Sequence, residues 1–329
     1  MVWVLVAVLI GVGWIGVRLA GVDHGPTSLL SDGPIGPAHP LIVAEFHDPY
    51  ESGGPGFDGA QFYAIARSPF DVTEAARYAG PPTYRLRRIL YPAVAWVMAP
   101  GGGARLIWAM AFVSIVGVAI GAWALLRLPG SPGWLSLAMV INPGVVAGLW
   151  LSLGDVLATG LVLAAFATMF SRRVAATIVL LILAALTREI SLVAAFALMT
   201  TPGLTRRDRL LVGALPCLPV GLWSLYVAHT LDGSFFEQPG GGTFTLPFSG
   251  WMGTGAPPLE ITLVALLGVV LALSLTTWRT TPWSVTLFVA VSLAMLVCST
   301  PVIMRTWVGS TRVVAAAFPL AIWAIVGRS

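Results

Sequence analysis

The sequence contains no lysine: all 18 basic residues among its 329 are arginine. Charge of either sign is scarce, with 10% charged against 57% hydrophobic residues. A soluble domain carries about 25% charged residues, so this chain cannot cover a water-soluble globule with polar surface. Its apolar runs do not alternate with period two, which argues against a transmembrane barrel; they are continuous and read as membrane helices. There is no internal repeat, no soluble domain and no low-complexity tail. The net charge of +4 is no nucleic-acid footprint, because the arginines are scattered between apolar segments instead of gathered on one face. The two cysteines, Cys217 and Cys298, lie within apolar segments. They read as buried small hydrophobes with no metal-ligand spacing. The first apolar run lacks a basic leader and is long for a signal peptide, so it is expected to persist as a helix.

What is present predicts an all-α integral membrane protein, one polytopic domain over 1–329 with about ten transmembrane helices, some short or broken. The expected spans begin with Val2–Ala20 and Arg105–Leu126, continue through Trp134–Ile141, Val156–Phe170, Ala175–Leu186, Ile190–Thr200 and Leu210–Ala228, and end with Ile261–Thr277, Pro282–Ser299 and Val313–Val326. Ile89–Ala99 is too short to cross and is expected at the interface. A long first outer loop, 22–88, is expected to carry short surface helices at Gly59–Ala66 and Thr73–Tyr78. A second outer loop spans 229–258, and its stretch Gly240–Trp251 reads as an outer lid with aromatic anchors.

With the N-terminus inside, Arg127, Arg172, Arg173, Arg206, Arg207, Arg209, Arg279 and Arg328 all fall in inner connections, as the positive-inside rule requires. The C-terminus is then inside as well, and every acidic residue except Asp208 falls outside. Arg85, Arg87, Arg88, Arg188, Arg305 and Arg312 break the rule by lying at the outer border. They either pair with nearby carboxylates or hold an anionic ligand, for which the planar guanidinium fork suits phosphate.

Four stretches carry candidate chemistry. Asp58, between glycines and before Gln61-Phe62-Tyr63, reads either as a helix cap or as a general base at the membrane border. Arg85, Arg87 and Arg88 enter an apolar helix beside Tyr91, as interfacial anchors or as a phosphate clamp. Thr187-Arg188-Glu189 interrupts two short apolar runs. Ionisable residues there need partners or a polar cavity, and adjacent helical residues point apart. Each therefore needs its own partner, such as Asp155 or the first loop. Asp155 itself starts a helix and is expected to cap it. Glu45, His47 and Asp48 have the donor chemistry for a divalent cation such as Mg or Mn, but loop solvation is the default for His47, and no metal ligand is assigned. The glycines at 240–242 lack the strand–loop–helix setting of a phosphate cradle.

Asp58-Gly59-Ala60-Gln61-Phe62-Tyr63 and then Tyr84-Arg85-Leu86-Arg87-Arg88-Ile89-Leu90-Tyr91-Pro92 resemble a pattern of bacterial polytopic glycosyltransferases of the GT-C type. Leu186-Thr187-Arg188-Glu189-Ile190 and Leu246-Pro247-Phe248-Ser249-Gly250-Trp251 are similar to later elements of that family, in the same order. The sequence departs by inserting Ala60, by Leu86 in place of an aromatic, and by having no Asp-x-Asp or Glu-x-Asp pair in the first loop. The resemblance implies a GT-C-like fold in a bacterial inner membrane and a mannosyltransferase-like enzyme. Such an enzyme takes sugar from a polyprenyl-phosphate donor to a glycan, lipid or protein acceptor on the extracytoplasmic face. It implies Asp58 as base, Arg85 and Arg88 on phosphate, and Arg188 and Glu189 lining the cavity. Arg305 and Arg312 follow from topology as further phosphate ligands, with Glu45, His47, Asp48, Gln61, Tyr63 and Asp155 as secondary candidates. A transporter or flippase of an anionic lipid, and a non-catalytic membrane subunit, are the alternatives.

Overall fold

The computed structural model of the protein describes residues 1–235, 237, 244–251, 257–304 and 306–327. Among them the regular elements are helices, and extended pairing is limited to two isolated bridges, Asp32 with Glu51 and Phe244 with Ser299. After the apolar helix α1 (Val2–Ala20), the polar segment folds into short pieces: α2 (His39–Glu45), α3 (Asp58–Arg67), α4 (Val72–Ala76) and α5 (Pro82–Leu86). Helix α6 (Leu90–Met98) leads into α7 (Gly103–Leu126), followed by α8 (Pro143–Trp150), α9 (Asp155–Phe170) and α10 (Val174–Thr187). Then come α11 (Leu192–Leu198), α12 (Arg206–Ala214) and α13 (Cys217–Thr230). The C-terminal part holds α14 (Pro258–Leu275), α15 (Trp283–Val297), α16 (Pro301–Met304), α17 (Trp307–Val313) and α18 (Ala317–Val326).

Four segments are long and apolar enough to cross a membrane: Val2–Ala20, Gly103–Leu126, Arg206–Thr230 and Pro258–Leu275. Two bent pairs bring the number to six if each is one crossing: Gly133–Met139 with α8, bent by 53°, and α17 with α18, bent by 62°. The last pair corrects the expected Val313–Val326 span, because the helix breaks between Val313 and Ala317. Helices α9, α10 and α15 and the segment Glu189–Leu198 are apolar but shorter. A 16-residue helix such as α9 rises about 24 Å against a hydrocarbon thickness of about 30 Å. The expectation of ten crossings counts these short helices as spans. At nine residues, α6 is too short to cross alone.

Glycine lets the central helices approach. A Cβ on Gly160 would run into the Gly117 carbonyl, and one on Gly117 would lie 2.7 Å from Leu157 Cα. Small residues at these positions bring α7 and α9 into backbone contact, the packing mode favoured where lipid supplies no hydrophobic drive. The break before α18 frees the carbonyl of Ala315, which Asn142 Nδ2 satisfies at 2.6 Å. Asn142 Oδ1 meanwhile accepts from Gly144 N at 3.0 Å and caps α8. One fully buried side chain thus ties two broken helices together.

Helix α3 corrects another expectation. It is no surface helix: every residue from Gly59 to Ala66 is buried. Its first turn lies against the backbone of Leu151, where a Cβ on Gly59 would collide with the carbonyl oxygen. Its aromatic side chains Phe62 and Tyr63 are buried, with Phe62 against Tyr91 of α6 at 6.0 Å between ring centroids. The Tyr91 hydroxyl donates in turn to Met110 O of α7 at 3.0 Å. The polar segment is therefore wedged into the helical body.

Candidate functional site

Asp58 is the first residue of α3, and its side chain does not cap the helix. Its Oδ1 is ion-paired with Arg85, and its Oδ2 accepts from Arg312 Nη2 at 3.0 Å. Arg312, on α17, is shared: its Nε and Nη2 reach Asp155 Oδ2 at 3.0 and 2.8 Å. Asp155 begins α9 and was expected to cap it. That expectation is corrected, since its carboxylate makes no cap bond and instead joins Arg312 and Arg188. At 4% exposure it needs both cations, because a buried unpaired carboxylate is costly.

The break after α10 sorts the adjacent pair Arg188 and Glu189. Arg188 is extended, with φ −158° and ψ 117°, between α10 and a short 3-10 turn over Glu189–Ser191. That turns its guanidinium to Asp155 and leaves Glu189 to Arg88. The second pair is bidentate, with Arg88 Nε and Nη2 donating to Oε2 and Oε1 at 2.9 and 2.8 Å. The Arg88 guanidinium also lies 4.4 Å from the Tyr84 ring centroid, a cation–π contact. Each residue of the break thus finds its own partner, one on α9 and one at the end of the first polar segment.

The result is one largely enclosed constellation drawn from five parts of the chain: Asp155 and Arg88, both buried, with Asp58, Glu189, Arg85, Arg188 and Arg312, which are partly exposed. Four guanidiniums face three carboxylates, leaving one positive charge uncompensated. Arg188 Nε is buried and has no hydrogen-bond partner among the described residues. A lost acceptor of that kind costs about 1–3 kcal/mol. Asp155, Arg188 and Arg312 form the polar end of a narrow cleft whose other walls include Val162, Val193, Phe288 and Met295. The cleft encloses about 30 Å³, room for one or two waters. Asp58 feels opposing influences: burial pushes its carboxyl up, but Arg85 and Arg312 outweigh this and hold it well below the usual carboxylate range.

Other predicted residues go elsewhere. Arg87 turns away, donating to the carbonyls of Phe235 and Glu237. Gln61 braces the site indirectly: it accepts from Gly80 N at 2.8 Å, and the Gly80 carbonyl accepts from Arg85 Nε at 3.3 Å. Glu45 and Tyr63 meet at the far end of α3, where both accept from Gly103 N, at 2.5 and 2.7 Å, and Glu45 pairs with Arg67 at 3.0 Å. Burial and the Glu45 carboxylate push the Tyr63 phenol up. Asp48 is exposed, 3.7 Å from His24. The divalent-cation triplet Glu45, His47 and Asp48 is therefore not assembled, and no group of three His, Cys, Asp or Glu side chains suited to a metal exists among the described residues. Arg305 lies outside the described residues, as do 240–243 of the expected lid.

Sequence reasoning missed three features. Tyr84 as a platform for Arg88 was legible only as part of the Arg-rich stretch. Asn142, just past the expected span Trp134–Ile141, carries no local sign of the tie it makes. Asp32, 1% exposed, binds His39 Nδ1 at 2.7 Å, a loop contact with no local sequence signal. Burial raises the Asp32 carboxyl, and the His39 bond opposes the rise. Compared with family models, curated proteins and solved structures, the chain matched none of them.

Proposed function

We propose that the protein is a membrane glycosyltransferase that moves a sugar from a polyprenyl-phosphate donor to an acceptor hydroxyl. One observation carries the reading. The largely enclosed constellation holds an excess of guanidinium, including a buried Arg188 N–H without a hydrogen-bond partner among the described residues, at the polar end of a cleft with apolar walls. The guanidinium forks suit a phosphate and the apolar walls suit its tail, the cleft opening beyond its volume of about 30 Å³ to admit them. In this reading the short apolar helices are also spans, giving about ten crossings of a bacterial inner membrane. Both termini are then cytoplasmic and the constellation extracytoplasmic.

Chemically, the acceptor oxygen forms a bond to the anomeric carbon as the bond from that carbon to the phosphate oxygen breaks. The electron pair leaves with polyprenyl phosphate, and the hydroxyl proton passes to Asp58. Arg85, Arg188 and Arg312 offset the charge that grows on the leaving phosphate. Arg88 and Glu189, satisfied by each other, hold the wall of the site. No step needs a metal ligand from these residues.

The bent helices beside the constellation also suit a transporter of an anionic lipid. The test separates the two. Purified protein in lipid vesicles is given labelled polyprenyl-phosphate sugars and a panel of acceptors, wild type against Asp58→Asn. Transfer by wild type and loss in a folded Asn variant support the enzyme. Lipid movement across the vesicle without conversion supports the transporter instead.

A further inference from the structure

We infer that the donor's phosphate itself uncovers the catalytic base, so that donor must bind before acceptor. The inference rests on the glycosyltransferase reading and adds an order and a trigger to it. Both oxygens of Asp58 carry a guanidinium, Arg85 on Oδ1 and Arg312 on Oδ2. A carboxylate so held is a weak acceptor for a hydroxyl proton. The cleft that Arg312 lines together with Asp155 and Arg188, at about 30 Å³, is too small for a phosphate (about one or two waters fit). A phosphate therefore enters only as the cleft widens and a carboxylate gives up its guanidinium partners to it.

The geometry points to which group yields. Glu189 is fixed by a bidentate pair with Arg88. Asp155 is the more deeply enclosed aspartate and keeps Arg188 even if Arg312 is drawn off. Asp58 shares Arg312 with Asp155, and its only other ion-pair partner is Arg85 among the described residues. A phosphate that takes Arg85 and Arg312 thus leaves Asp58 as the one carboxylate without a cation, still enclosed. With Arg85 and Arg312 drawn off, burial is opposed only by the more distant Arg88, and its proton affinity rises. It then faces the acceptor hydroxyl as a competent base.

The exchange also resets the site. After transfer Asp58 holds the acceptor's proton, and polyprenyl phosphate holds the arginines. When the phosphate departs, Arg85 and Arg312 return, and the proton is expelled to water. No other reactant is required.

The test reads protonation of Asp58 without turnover. Purified wild-type protein is treated near neutral pH with dicyclohexylcarbodiimide, which reacts with protonated carboxyls, and the peptide bearing Asp58 is quantified by mass spectrometry. The arms are no addition, undecaprenyl phosphate, the matching polyprenol and inorganic phosphate. Labelling is expected to be low without addition and to rise with undecaprenyl phosphate by about tenfold for each pKa unit regained. A rise with inorganic phosphate too supports the exchange, with the prenyl chain adding only affinity. An equal rise with polyprenol overturns it, because then the chain and not the charge opens the site. Arg85→Gln, checked for an intact thermal transition, is expected to label above wild type with nothing added, and failure to do so counts against the inference. No rise with either phosphate overturns the inference whatever the transfer assay gives. Absence of transfer with every donor overturns the glycosyltransferase reading whatever the labelling gives.

Discussion

Helix α3 has a carboxylate–arginine contact near each end, and the two ends differ in what they leave over. At its C-terminal end, Glu45 faces one cation, Arg67, and its other oxygen accepts from Gly103 N alongside Tyr63. Charge closes on itself there, at the entry to α7, one carboxylate on one guanidinium, with Glu45 Oε2 held by the ion pair alone. At its N-terminal end, Asp58 joins a set with one cation too many and a buried N–H without an acceptor. The first arrangement is balanced in charge, as a structural tie is, and the second carries the excess cation on which the proposed anion site rests. Ion pairing alone separates nothing; the remainder does.

Substitutions at the two ends test that distinction, and the largest effect is expected at Asp58. Asp58→Asn should lower transfer by roughly 100-fold or more, the usual weight of a general base, while the protein stays folded. A variant with unchanged turnover would remove Asp58 from the chemistry. Next comes Asp155→Ala, which leaves Arg188 and half of Arg312 uncompensated in a buried place. Breaking such a pair costs about 3–5 kcal/mol, so thermal unfolding should shift down clearly; an unshifted transition means the charges are solvated. Asn142→Ala removes a cap and the bond to Ala315, about 1–2 kcal/mol. Because Ala315 follows Arg312 by three residues, donor KM should rise while the unfolding shift stays small.

Glu45→Gln, at the closed end, should lose about 1 kcal/mol of stability and leave donor KM and kcat where they were. A loss of transfer there would erase the contrast between the two ends. The smallest expected effect is none. A carboxyl whose folded-state pKa is depressed contributes stability that is fully present above the unfolded value of about 4 and is lost as pH falls through the lower, folded value. The difference in Tm between wild type and Asp58→Asn should therefore be level from about pH 7 to 5. A slope in that window would mean that Arg85 and Arg312 do not hold Asp58.

The sequence made the helical, apolar character and the short break at Arg188–Glu189 legible, because both depend on local composition and on residue directions along a helix. It also marked Asp58, Arg85, Arg88, Arg188 and Glu189 as candidates, and all five lie in the constellation. It named Asp155 as a partner for the break, which the Arg188 pair matches, but misread it as a helix cap, because a helix-starting aspartate looks the same whether its oxygens meet its own backbone or a distant arginine. Helix α3 was misjudged for a related reason. Its mixed composition reads as surface, but the polar atoms of Gln61 and Tyr63 are used up inside. Glu45 and Tyr63 were grouped with the site because proximity in sequence says nothing about which end of a helix a side chain serves. Arg312 was marked through topology alone, and its two partners lie 157 and 254 positions away.

That last separation has a consequence in time. At about 5–20 residues per second, Arg312 leaves the ribosome on the order of 10–50 s after Asp58. Through that interval Asp155 gains Arg188, and Asp58 has only Arg85. The shared guanidinium arrives late and joins the two aspartates at once, so a chain stopped short of Arg312 leaves Asp58 and Asp155 each with one cation in place of two.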